Sequence, residues 1–212
     1  MKSSLIVWIK AIIHIAALTF TGLIFWDYFN DQLTANPIEE ITRRTGKYTL
    51  ISLLLTLSCT PAKILFGFNQ IIEARRQIGL YSFFFATLHF FTFLGLDYAF
   101  DIDLILKDVI KKRFVIAGFS VYFILTLLAA TSFESAPRKL GRKWSNLHAL
   151  IYPAASLAVL HFAWLVKASM LEPLLYGTLI LLLFILRLPL IKRYKFFNLH
   201  NLPIIEKYFF NK

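Results

Sequence analysis

The chain has 212 residues, 58% of them hydrophobic and only 17% charged, with a mean hydropathy of +0.65 and a formal net charge of +11. Water-soluble domains run at about 45–50% apolar and about 25% charged residues, so this composition excludes an ordinary soluble domain and predicts an integral membrane protein. A single cysteine, Cys59, excludes an intramolecular disulfide and any cysteine-based cluster or zinc site.

Six apolar stretches reach membrane length: residues 5–25, 48–66, 78–96, 114–133, 147–166 and 171–191. They predict an all-α polytopic membrane protein, a six-helix bundle forming one domain over residues 1–212, with short loops and no internal repeat. The first stretch carries Lys10 close enough to its start to snorkel to the interface. No small-x-small cleavage pattern follows it, and Trp26-Asp27-Tyr28 reads as an interfacial anchor, so the stretch is a span rather than a cleaved signal. His14 within it reads as buried polar packing.

Lysine and arginine set the orientation. With the N-terminus in the cytoplasm, Lys63, Arg75, Arg76, Arg138, Lys139, Arg142, Lys143, Arg187 and the basic tail fall inside, and both termini are cytoplasmic. Arg43, Arg44, Lys47, Lys107, Lys111, Lys112, Arg113 and Lys167 fall outside, where most acidic residues also lie. The basic balance therefore follows the positive-inside rule, and no nucleic-acid partner is implied. The acidic outer stretch from Asp97 to Asp108 is a solvated loop with charge suited to docking a partner.

Imidazole is costly in hydrocarbon, so histidines inside spans are functional candidates. His89 lies in the outer half of the third span and His161 in the outer half of the fifth, at similar depth on parallel helices. Facing imidazoles there can complete an axial pair for a haem iron. His148 lies near the cytoplasmic start of the fifth span, roughly 20 Å below His161 at helical rise. An ideal straight helix does not project both from one face, so an irregular first turn or a distortion at Pro153 is needed. Arg75 shares a helical face with His89 about four turns away, and with Arg76 it offers a planar fork suited to a propionate or phosphate. His200 reads as a solvated residue of the C-terminal tail.

The segments 75–89 (RRQIGLYSFFFATLH) and 138–148 (RKLGRKWSNLH), with Thr42-Arg-Arg-Thr-Gly46 and residues 161–167 (HFAWLVK), resemble the MsrQ family over nearly the whole chain. These are haem-binding membrane subunits of bacterial periplasmic methionine sulfoxide reductase systems, within the wider ferric-reductase-like transmembrane group. The resemblance implies a multi-pass protein of the bacterial inner membrane that carries electrons through b-type haem, one or two copies, with His89, His148 and His161 as axial ligands. Electrons come from the quinone pool or a cytoplasmic flavin reductase. They pass to a periplasmic molybdopterin subunit of the MsrP kind, which serves the repair of oxidised proteins. The wider group typically places two histidines on the third span, but Arg75 or Arg76 stands at the inner position here, so His148 lacks a histidine partner. FMN is associated with the family, and the basic surface of Arg75, Arg76 and residues 138–143 is where it would bind. The alternatives are a metal-ion reductase, a quinol-linked cytochrome b subunit with another partner, or a small proton-coupled transporter.

Overall fold

The computed structural model describes residues 2–166 and 169–188, and every regular element among them is helical. In order these are α1 (Lys2–Phe29), α2 (Pro37–Phe66), α3 (Ile71–Phe91) continued by a π turn (Thr92–Asp97), α4 (Ile102–Lys111), α5 (Arg113–Ala130), the short α6 (Ala136–Leu140) and α7 (Arg142–His148), α8 (Ile151–Leu165) and α9 (Leu171–Ile185). Five helical stretches are long and apolar enough to cross a membrane. The sixth expected span appears as α9, whose 15 residues cover about 22 Å at helical rise, short of a hydrocarbon core of about 30 Å. Residues 189–191 of that expected span, Lys167 and His200 lie outside the described residues.

The second helix begins well before residue 48, where hydropathy alone placed its start. Asn36 caps it by accepting from the Glu39 amide, and Pro37 occupies the first helical position, where its missing N–H costs nothing. The charges of this extra stretch are paired. Glu40, 6% exposed, is bonded by both Arg43 and Arg44. Arg44 also reaches Asp27 of α1 at 2.5 Å and ties the first two helices together. The Thr42–Gly46 segment thus lies inside α2 rather than ahead of it.

Pro61, inside α2, cannot donate to the carbonyl of Leu57. Arg187, just past α9, takes over that carbonyl through Nε at 3.2 Å and Nη2 at 2.6 Å, while its Nη1 donates to the Tyr152 hydroxyl at 3.1 Å. A positively charged side chain from the end of the chain repairs a break that proline opened in the second helix.

The fifth expected span, residues 147–166, is also irregular. At Ala149–Leu150, between α7 and α8, the backbone stays helical but tightens, with Leu150 and Tyr152 bonding three residues back instead of four, and Pro153 falls in the first turn of α8, where proline is tolerated. The expected irregularity between His148 and His161 is therefore a tightened turn before Pro153, inside a helix that runs on from Arg142 to Leu165.

Packing is pairwise: α2 lies chiefly against α3, and α5 against α8, with α3–α5 contacts joining the two pairs. Helices in lipid gain little from the hydrophobic effect, so close approach depends on small side chains and dispersion. Ala154 and Ala155 on α8 are fully buried, and Leu53 and Leu57 on α2 fill the core beside them.

The stretch expected as an acidic docking loop folds as α4. Asp101 caps it by accepting from the Leu104 amide at 3.0 Å, and Asp108 is held by Lys112 and by the Tyr98 hydroxyl. Those two carboxylates serve the local fold.

Candidate functional site

His89 projects from α3 and His161 from α8, and their rings stand 6.0 Å apart, centre to centre, with planes nearly perpendicular at 88°. Each ring is fixed in the same way. The Nδ1 of His89 lies 2.9 Å from the carbonyl oxygen of Thr42 on α2. The Nδ1 of His161 lies 2.7 Å from the carbonyl oxygen of Phe114 on α5. A carbonyl only accepts, so each Nδ1 carries the proton and donates, which leaves each Nε2 with its lone pair free for a metal.

Room for the rings comes from two glycines. A Cβ added at Gly46 would sit 3.1 Å from Nδ1 and Cε1 of His89, and one added at Gly118 would sit 3.0 Å from the same atoms of His161. Both glycines lie one helical turn after the carbonyl that their histidine uses. The two halves share one spacing: carbonyl residue and histidine are 47 positions apart in each. The side chains of the halves do not match, which is why the chain reads as free of internal repeats while its geometry is duplicated.

Two imidazoles alone make a poor site for a bare ion, and no group of three His, Cys, Asp or Glu able to hold one occurs among the described residues. They suit a metal that brings its own equatorial ligands. Two metal–imidazole bonds of about 2 Å, plus the distance from each nitrogen to its ring centre, come to about 6 Å. The observed separation fits an iron between the rings, as in haem with two axial histidines.

His148 lies elsewhere. Its ring stacks on Trp144 at 4.2 Å, and its Nε2 is 3.1 Å from the Thr131 hydroxyl. Trp144 in turn donates to the Thr131 carbonyl at 3.0 Å, so α7 is pinned to the end of α5. Among the described residues no second histidine joins it. Arg75 is within electrostatic reach of His148, Arg187 and Tyr152, and among the described residues it has no hydrogen bond or ion pair. Arg76 diverges from it and pairs loosely with Glu134 at 3.7 Å on the surface. Of the two arginines, Arg75 is the one aimed into the bundle with donors to spare. His14 bonds the Tyr81 hydroxyl across α1 and α3, but it is exposed on the outer surface of the bundle and not buried as expected.

Gly46, Gly118, Arg187, Thr131 and Trp144 escape a reading of the sequence by residue type. The repeated interval from each glycine to its histidine is the one signal that would have exposed the first two.

The family described as the ferric reductase like transmembrane component matches residues 45–159. Among curated proteins, the protein-methionine-sulfoxide reductase haem-binding subunit MsrQ of Herminiimonas arsenicoxydans is 43% identical over 182 residues, covering 84% of each chain. The subunit of the same name from Xanthomonas axonopodis pv. citri is 41% identical, over 82% of this chain and 83% of its own. That from Bordetella pertussis is 40% identical, over 82% and 86%. No solved structure matches the chain significantly.

Proposed function

This chain belongs to the ferric-reductase-like transmembrane family, in its MsrQ branch, and on that premise we propose that it delivers electrons to a periplasmic molybdopterin methionine sulfoxide reductase of the MsrP kind. The observation that carries this reading is the His89–His161 pair, 6.0 Å apart, with both Nδ1 atoms committed to carbonyls. A b-type haem held there supplies one-electron redox chemistry at a potential tuned by its ligands and their surroundings. His89 and His161 would hold the iron of a bound haem, while the carbonyls of Thr42 and Phe114 fix the ring orientations and Gly46 and Gly118 keep the rings from being pushed aside.

His148 and Arg75 form the inner half of the route, with Arg76 at its rim. A guanidinium with unused donors, beside a second arginine already committed to Leu57 and Tyr152, matches a phosphate or propionate. Either a second haem ligated by His148 or the phosphate of FMN satisfies that chemistry. Electrons come from the quinone pool or a cytoplasmic flavin reductase. The chain is a single domain with six spans and both termini in the cytoplasm of a bacterial inner membrane, and its role is the repair of oxidised periplasmic proteins.

The test is spectroscopic. Full-length protein purified in detergent should show b-type bands in a reduced-minus-oxidised spectrum, and should be reoxidised by the molybdoprotein together with methionine sulfoxide. Absence of b-type bands after expression with ample haem contradicts the reading. Bands that the molybdoprotein leaves reduced contradict the assigned partner.

A further inference from the structure

The second and ninth helices leave a groove on the outer surface of the bundle, apart from the histidine pair, with a volume of about 280 Å³. Its lining is Lys47 of α2 with Glu172, Leu175, Tyr176 and Leu179 of α9. The spacing along α9 places those four residues on one helical face, with Glu172 at its N-terminal end and Leu179 about two turns deeper. Leu175 and Leu179 are 56% and 48% exposed, on a helix that carries no charge beyond its first turn, so the groove opens sideways to the bilayer.

The polar end is a matched pair. Lys47 Nζ lies 3.3 Å from Glu172 Oε1. The remaining Lys47 protons, the second Glu172 oxygen and the Tyr176 hydroxyl have no other hydrogen-bond partner among the described residues. Donors and an acceptor with spare capacity therefore edge a slot that is lined almost wholly by apolar surface and whose net charge is zero. An apolar slot with a few polar groups at its edge is the ordinary form of a small-ligand site, and this one lies just below the usual range of about 300–1,000 Å³, with room for one substituted ring.

We propose that this groove binds the headgroup of a membrane quinol, with its isoprenoid tail laid along Leu175 and Leu179. The headgroup is neutral and both donates and accepts hydrogen bonds, so its hydroxyl can donate a hydrogen bond to Glu172 and accept one from Lys47 or Tyr176. A phosphate-headed lipid brings an anion to a pair already neutral, and its charge opposes Glu172. The position also connects to the histidine pair. Lys47 follows Gly46, which abuts His89, and the Tyr176 ring contacts that of Phe162, the neighbour of His161, at 6.2 Å. The inference rests on the electron-conduit reading and names an outer-side entry site for one of its two donors, so quinol electrons would reach the His89–His161 pair directly, and the inner half around His148 and Arg75 would serve the cytoplasmic donor.

Photolabelling of the full-length haem-loaded protein in nanodiscs with a short-chain azido-quinone tests it. Label is expected on the peptide spanning residues 171–179, reduced at least tenfold by excess decylquinol and unaffected by excess phosphatidylglycerol. Leu175→Trp, which fills the groove, and Lys47→Met, which breaks the pair, should each lower labelling at least fivefold with the haem spectrum unchanged. The second variant keeps the test valid if tryptophan disturbs folding. Label elsewhere, or label displaced equally by phosphatidylglycerol, overturns the site while leaving the conduit reading intact. Absence of haem from the wild-type protein counts against the conduit reading, and the labelling pattern is then judged separately.

Discussion

The two glycines beside the histidines are the positions where one methyl group matters most. Added at Gly118, a Cβ would lie 3.0 Å from the His161 ring, closer than real contacts normally allow. Gly118→Ala should therefore tilt His161 and weaken its bond to the Phe114 carbonyl. We expect at least a severalfold loss of haem per protein, measured by pyridine haemochrome, and Gly46→Ala should act in the same way through His89. Ala117→Gly, at the neighbouring position, should retain haem. Legibility in the sequence divides along this line. The depths of His89 and His161 can be read from residue number once the spans are drawn, because helical rise converts sequence into height. The glycines cannot be read that way, because their role depends on a helix packed against them from 43 positions away. Outside the membrane, the Lys112 ammonium and the Tyr98 hydroxyl hold the Asp108 carboxyl below its ordinary range. A depressed carboxyl stabilises the fold above its unfolded value of about 3.9, and that contribution is lost as pH falls through the lower folded value. Thermal melts should show Asp108→Asn less stable than wild type at pH 7, with the gap closing toward pH 3.

The second and fifth spans show what hydropathy misses in a helix. Residues 37–47 are too charged to count as membrane-spanning, yet they are helical because Asn36 caps them and Glu40, Arg43 and Arg44, together with Asp27 of α1, neutralise one another. The fifth stretch is strongly apolar, yet its helix tightens by a few i→i+3 bonds at Ala149–Leu150, which turns His148 relative to His161 without ending the span. Pro61 provides the sharpest test of the packing. A hydrogen bond from a charged donor contributes about 1.5–3 kcal/mol, so Arg187→Met should destabilise the protein by about 2 kcal/mol. In a Pro61→Ala background the Leu57 carbonyl gains an internal N–H partner, and the same substitution should cost at least about 1 kcal/mol less. A double-mutant cycle in detergent melts measures that coupling, and additive effects would show that Arg187 does not repair the proline break.

Across the whole molecule, two helix pairs, α2 with α3 and α5 with α8, each contribute a glycine, a carbonyl and a histidine to one site between them. The composition announces a membrane bundle, and the histidine depths suggest where its pairs must meet. The inner half is harder to read, because Arg75, Arg187, Tyr152 and Thr131 are brought together from four separate parts of the chain and carry no shared spacing. The proposed conduit depends on one iron held jointly by His89 and His161. The most direct measurement is haem content and the reduced-minus-oxidised spectrum of purified His89→Ala, His161→Ala and His148→Ala proteins beside wild type. The first two should lose the same b-type signal, and the third should retain it. If His89→Ala and His161→Ala both keep all their haem with an unchanged spectrum, the paired site is not where the iron binds.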